Sequence, residues 1–257
     1  MPVVFLHPTP LDHAYWIPLV DRLEGVRAIT PDLRGHGASE LGAGLPLGAF
    51  ARVPDAPVLT MAQLATDLVA LLDRLNLRQA VFIGCSVGGY VMLELVRRIP
   101  RRMRGLGFVC SKPQPDVDAN FAKRADTIAK ARAGERDALF DSMAQTSIGA
   151  TARALRPEIV QELRIRMTMT AQAIVSVQAG LAARPNSVPT IRNITVPVLA
   201  IAGGEDLAVS PAEMEAFREA PGGCVSHLLP DAGHFAAYEQ PENVAGIIAD
   251  WLKPLGR

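Results

Sequence analysis

Residues 84–89, Gly-Cys-Ser-Val-Gly-Gly, set a serine in a turn with little side-chain bulk at either end. An apolar run, Ala80 to Ile83, precedes it and has the length of a buried strand. A helical pattern follows, with Val87, Met92, Leu95 and Val96 on one packed side. A G-x-S-x-G between strand and helix holds the serine hydroxyl above a sheet, where the helix dipole favours a developing anion. Gly84 and Gly88 relieve the crowding such a tight turn creates. The chemistry in question is nucleophilic attack by Ser86. The competing reading is an ordinary glycine-rich turn, so the rest of the chain must supply a base, an acid and an oxyanion hole.

A serine hydroxyl is a weak nucleophile until an adjacent base takes its proton. In an open parallel sheet the reacting groups gather in loops at the carboxyl ends of strands. Of the five histidines, His13 falls within a helix and His227 within a strand. His7 stands directly before Pro8 and suits a structural hydrogen bond. His36 lies in the loop after a short strand. His234, in Asp231-Ala232-Gly233-His234-Phe235, follows the last strand with a glycine to aim the ring. His234 is the candidate base, with His36 the alternative. For the acid, Ala202-Gly203-Gly204-Glu205-Asp206 follows the penultimate strand. Asp206 is the candidate that would fix the His234 tautomer, with Glu205 the alternative. The helix start nearby is already served by Ser210 and Pro211, and Asp231 reads as a turn residue.

The elements that must position these groups alternate in type. Strands are expected at 2–6, 26–30, 80–83, 105–110, 196–202 and 224–229. Helices are expected at 11–23, 60–75, from the serine turn to about Ile99, and at 211–220 and 241–253. Thr60 and Gln63 form a capping-box pattern. The strands are nearly all apolar rather than alternating, which implies a parallel sheet covered on both faces. Residues 112–193 break the rhythm with helical segments at 117–132, 135–147 and 157–183. They read as a helical cap inserted into one α/β domain formed by residues 1–111 and 194–257. Residues 40–59 read as a long loop with no assigned role.

Composition bounds the function class. The chain has 49% hydrophobic residues, with Lys+Arg and Asp+Glu at 26 each, so it can build a core and carries no net charge. No basic excess suggests nucleic acid or an anionic membrane. The three cysteines, Cys85, Cys110 and Cys224, fit no metal spacing and read as free thiols suited to a reducing cytosol. No signal peptide or membrane span is visible in the sequence, so a soluble cytoplasmic protein is expected. No loop concentrates basic residues, so nothing hints at a charged substrate, and oligomeric state stays open.

The order Ser86, Asp206, His234 is that of the α/β-hydrolases, and the resemblance spans essentially the whole chain. Gly-Cys-Ser-Val-Gly-Gly is similar to the family's nucleophile elbow, Gly-Gly-Glu-Asp to its acid turn and Asp-Ala-Gly-His to its histidine loop. Pro31-Asp-Leu-Arg-Gly-His-Gly-Ala-Ser39 resembles a recurrent family loop. The resemblance implies an α/β-hydrolase fold with a mainly parallel sheet of about six strands. It also implies an oxyanion hole made by two backbone amides. One is that of Val87. The other comes from the loop after the first strand, where His7-Pro8-Thr9 replaces the frequent His-Gly-x and Thr9 carries the matching N–H. The chain begins at the His-Gly strand, like the compact members that include plant hydroxynitrile lyases and methyl esterases. Those lyases place a lysine after the histidine; here it is Phe235, which argues against cyanide chemistry. Acid turn, cap and ending resemble enol-lactonases and small carboxylesterases. The expected reaction is cleavage of a small-molecule ester, lactone or related acyl bond without metal or organic cofactor. The alternative is lyase, cyclase, acyl-transfer or cofactor-free oxidation chemistry with the same three residues. Met143, Met167, Met169, Ile174 and Phe235 are candidates for the substrate pocket.

Overall fold

In a computed structural model, residues 1–43, 45–46 and 56–256 are described. Much of the 40–59 loop therefore lies outside the described residues. Six strands form one sheet: β1 (Pro2–Leu6), β2 (Arg27–Ile29), β3 (Ala80–Cys85), β4 (Met103–Val109), β5 (Val198–Gly203) and β6 (Cys224–Leu229). Their order is β2-β1-β3-β4-β5-β6, and every neighbouring pair is parallel. β3 and β5 are buried along their whole length, as continuous apolar runs between two helical layers should be. Strand order reverses between β1 and β3, which opens a crevice at their carboxyl ends. The loop after β1 holds Thr9; the turn after β3 holds Ser86.

The helices that flank the sheet follow their local signals. α1 is short, Ile17–Val20, and a 3-10 turn over His13–Trp16 leads into it. The single helix expected over 11–23 is thus replaced by two short pieces, with Asp12 accepting the Ala14 N–H at their start. α2 (Met61–Arg74) starts at the Thr60–Gln63 capping box, and α3 (Val87–Arg98) stops at Ile99, before Pro100.

Between β4 and β5 come α4 (Asp118–Arg132), α5 (Arg136–Ser147), α6 (Ala150–Leu155), α7 (Ile159–Arg164), α8 (Ala171–Ala182) and α9 (Val188–Ile191). The first two lie where expected. The helix expected over 157–183 is instead two, α7 and α8, separated by residues 165–170. Thr170 ends that gap by accepting the Ala173 N–H, which starts a new helix. Leu155, which helical spacing would place on the buried stripe, is 82% exposed on α6. The chain closes with α10 (Pro211–Met214), α11 (Ala236–Glu239) and α12 (Pro241–Leu252). Among the described residues no helix is long and apolar enough to cross a membrane.

Candidate active site

The Ser86 backbone stands at φ 50°, ψ −114°, a conformation costly for a residue with a side chain. The surroundings impose it. The Ser86 N–H donates to Val109 O at 3.1 Å, and the Ser86 carbonyl accepts from Gly89 N–H and from the Ser111 hydroxyl at 2.9 Å. A Cβ at residue 84 would meet the Gly88 carbonyl carbon at 2.5 Å, and one at residue 88 would meet Leu6 O at 2.3 Å. Only glycine at both places lets the turn close and α3 sit against β1.

His234 is buried, and its Nδ1 faces Asp206 Oδ2 at 2.8 Å. An ionised carboxylate only accepts, so Nδ1 carries the proton and Nε2 of the neutral ring keeps a lone pair. Asp206 is itself fixed. Its Oδ1 accepts the N–H groups of Ala208 at 2.7 Å and Val209 at 3.0 Å. Burial opposes a charge on His234, but the Asp206 carboxylate outweighs it and holds the ring above the ordinary histidine value. Burial likewise works against ionised Asp206, and the ring together with the two amides brings its pKa below the usual carboxylate value. Glu205 points elsewhere, accepting from the Thr151 N–H at 2.9 Å and hydroxyl at 2.6 Å.

The loop carrying His234 is held on every side. His234 N–H donates to Ser147 O at 2.8 Å. The thiol of Cys85 donates to His234 O at 3.6 Å and that of Cys110 to Gly233 O at 3.5 Å. Burial pushes both thiols far above their usual range, so they remain protonated donors. Buried Glu239 accepts three N–H groups: Gly233 at 2.8 Å, Gly149 at 3.0 Å and Phe235 at 3.1 Å. Burial raises its pKa, and those three amides work against the rise.

The loop after β1 is tied by two neutral histidines. His7 donates through Nδ1 to Pro8 O at 3.0 Å and accepts the Leu33 N–H at Nε2 at 2.9 Å. His36 Nδ1 meets Arg34 O at 3.1 Å, so it is the donor there, and Nε2 must accept from the Thr9 hydroxyl at 3.0 Å. Burial lowers the pKa of His7 to about 3 and that of His36 to about 4, so both rings are uncharged at neutral pH. His36 is therefore engaged at both nitrogens. The amides of Thr9 and Val87 have no acceptor among the described residues.

Ser86, His234 and Thr9 open on one cavity of about 670 Å³. Its other walls include Tyr90, Lys112, Asp116, Arg124, Met143, Gln178, Leu181 and Val209. Ser86 and His234 make no hydrogen bond to each other among the described residues; such bonds often tighten only once substrate is bound. Of the pocket candidates that the sequence suggests, Met143 lines the cavity. Met167, Ile174 and Phe235 do not; they are buried in the core, Phe235 with its ring against Tyr15 at 6.0 Å. Buried Met169 places its sulfur 3.6 Å from the Thr9 hydroxyl. The residues that sequence reasoning missed are Ser111, Glu239 and the charged groups of the cavity wall. Among the described residues no cluster of three or more His, Cys, Asp or Glu could hold a metal ion.

A family model described as "Alpha/beta hydrolase family" matches residues 3–247. The chain is similar to a thermophilic esterase from Thermogutta terrifontis, solved with malate bound. That match has TM-score 0.89 and 29% identity, and covers 100% of this chain and 91% of that one. It is also similar to the enol-lactonase from Burkholderia xenovorans LB400, with TM-score 0.85 and 25% identity over 98% of this chain and 90% of that one. A curated relative, 3-oxoadipate enol-lactonase 2 of Acinetobacter baylyi, is 30% identical over 222 residues, 82% of this chain and 73% of its own length.

Proposed function

The chain belongs to the α/β hydrolase family, and from that premise we propose that it is a serine hydrolase of small-molecule carboxylic esters, lactones or related acyl compounds. His234 Nε2 takes the Ser86 proton as the hydroxyl attacks the carbonyl carbon. The carbonyl oxygen becomes an anion and rests on the amides of Thr9 and Val87, a contribution of roughly 3–4 kcal/mol per donor at such sites. The tetrahedral centre collapses to an acyl-enzyme, and the imidazolium hands its proton to the departing alkoxide. Water deprotonated by His234 then releases the acid and restores Ser86. Asp206 accepts the Nδ1 proton throughout and stabilises the imidazolium.

The observation that carries this reading is the pairing of a pre-set histidine with a strained serine on one cavity. The His234 tautomer is fixed by a carboxylate whose second oxygen is already committed to two amides. The similarity to an esterase and two enol-lactonases supports acyl chemistry. In this proposal residues 112–193 act as a cap that closes over the cavity, and the protein works in the cytoplasm on a small molecule with no cofactor.

A fluorophosphonate probe together with a panel of p-nitrophenyl esters and simple lactones tests the assignment. Wild type should be labelled at Ser86 and turn over members of the panel, and Ser86→Ala should do neither. Turnover by Ser86→Ala at a comparable rate removes the nucleophile. Labelling without turnover of any panel member replaces hydrolysis with a non-hydrolytic reaction of the same residues.

A further inference from the structure

We infer that the cavity takes an ester or lactone that also bears a carboxylate, and that Arg124 receives that carboxylate. The inference rests on the acyl-hydrolase reading above and names the substrate class for the same site. Its basis is a charge imbalance in the cavity wall. The Asp116 carboxylate is shared by two guanidinium groups: Arg124 bonds it through Nε and, at 3.3 Å, through Nη2, and Arg184 Nη2 approaches it at 3.2 Å. Asp116 and Arg184 are almost sealed, with side-chain exposures of 1% and 2%, whereas Arg124 is at 18%. Two positive charges thus lean on one negative charge, out of bulk water. A buried charge in that position calls for a further counter-charge.

The direction from which that counter-charge can come is restricted. Arg184 sits over the Tyr90 ring with its Cζ 4.0 Å from the centroid, and its Nε and Nη1 are buried without a partner among the described residues. It does not line the cavity; Arg124, Asp116, Tyr90 and Gln178 do. Arg124 commits three of its five N–H groups, two to Asp116 and one to Gln178 Oε1 at 2.8 Å. One N–H on each terminal nitrogen is left to donate to an incoming carboxylate. Of the other cations on this wall, Lys112 is balanced by Glu213 at 2.5 Å and Lys130 by Asp126 at 2.8 Å, while Lys123 has no carboxylate within ion-pair distance among the described residues and adds to the positive charge. The receptor also shares the cavity of the reacting serine. Ser86, Tyr90 and Arg124 all line it. In this reading the acyl or alcohol chain runs through the cavity from the carbonyl at Ser86 to Arg124.

The test compares kcat/KM for monoethyl adipate with that for ethyl hexanoate, a pair alike in length and differing in the terminal carboxylate. Wild type should favour the half-ester by about 10- to 100-fold, the usual worth of a charge-assisted pair. Arg124→Gln should erase that ratio and Arg124→Lys should keep part of it. A wild type that hydrolyses both esters equally well overturns the carboxylate and leaves hydrolysis standing. So does a ratio that survives in Arg124→Gln folded to the wild-type urea midpoint. No turnover across these esters and the lactone panel removes the hydrolase reading itself. Should the Arg124 variants not fold, free adipate serves with wild type alone. It should compete with ethyl hexanoate while 1-hexanol does not, and adipate without effect refutes the inference.

Discussion

Asp206→Asn is the substitution whose consequence follows most directly from the geometry. In the wild type Oδ1 accepts the amides of Ala208 and Val209, and Oδ2 accepts His234 Nδ1–H. Asparagine has one acceptor oxygen and one donor nitrogen. Turned to face its amide group toward 208 and 209, it would set donor against donor at the buried Val209 N–H, costing about 1–3 kcal/mol, and lose the Ala208 bond as well. The favoured rotamer keeps oxygen on the two amides and points Nδ2 at His234. The ring must then offer a lone pair at Nδ1 and carry its proton on Nε2, where it can no longer take the Ser86 proton. That preference, about 2–4 kcal/mol, leaves the working tautomer at a few per cent or less. Losing the carboxylate opposite the imidazolium adds about 1.5–3 kcal/mol to the barrier. Together they predict a fall in kcat/KM of about 10³- to 10⁵-fold, in line with the roughly 10⁴-fold loss typical of this substitution in a triad. Steady-state kinetics on the best panel ester measures it, and fluorophosphonate labelling should slow in parallel. Asp206→Asn retaining more than about a tenth of wild-type activity refutes the tautomer argument. A greater loss in Glu205→Gln would move the acid to the neighbouring residue.

Two more outcomes follow from the same bonds. His234 must be neutral to act as base, so kcat/KM should rise with pH through its free-enzyme pKa. Because Asp206 outweighs burial, that midpoint lies above 6.5, and a wild-type acid limb centred below 6.5 contradicts the assignment. Glu239→Gln replaces two acceptor oxygens by one, so at least one of the amides of Gly149, Gly233 and Phe235 faces an amino group. The cost should be about 2–4 kcal/mol, read as a lower urea midpoint, with reduced kcat/KM because two of those amides flank the base. An unchanged midpoint would show that the carboxylate does not hold this loop.

How much of this is legible in the sequence depends on whether a feature is local. Parallel strands buried on both faces are continuous apolar runs, so β1, β3 and β5 stand out from composition alone. The serine turn announces itself because its glycines are demanded by contacts within a few residues and with one neighbouring strand. The break at 165–170 is hidden for a physical reason. An apolar stripe at helical spacing persists across two successive segments whether or not the backbone is continuous, and a threonine N-cap resembles any other threonine. Periodicity also says which side of a helix is buried without saying against what. That is why Met143 faces the cavity while Met167 and Ile174 fill the core. Lys112, Asp116, Arg124 and Arg184 are scattered over 73 positions of sequence and read singly as solvated charges; only folding sets two of the cations on one carboxylate.

The supports of the proposed base come from both parts of the chain. Glu239, beside the histidine loop, accepts from Gly149 in the turn between α5 and α6, and His234 N–H donates to the carbonyl of Ser147 at the end of α5. Glu205, in the acid turn, accepts from Thr151 one residue into α6. The segment 147–151 is thus bonded to His234 itself, to Glu205 next to Asp206 and to Glu239, and shifting it would require breaking hydrogen bonds to two carboxylates. Helices α4 and α8 are instead joined at the cavity wall through side chains, Arg124 to Gln178, with Arg124 also held by Asp116 just before α4. The group proposed to read the substrate sits on α4, whereas the groups proposed to perform the chemistry are held by the 147–151 segment. Those bonds keep the His234–Asp206 geometry preorganised, which is the condition under which electrostatic stabilisation of the transition state needs no rearrangement at the moment of reaction.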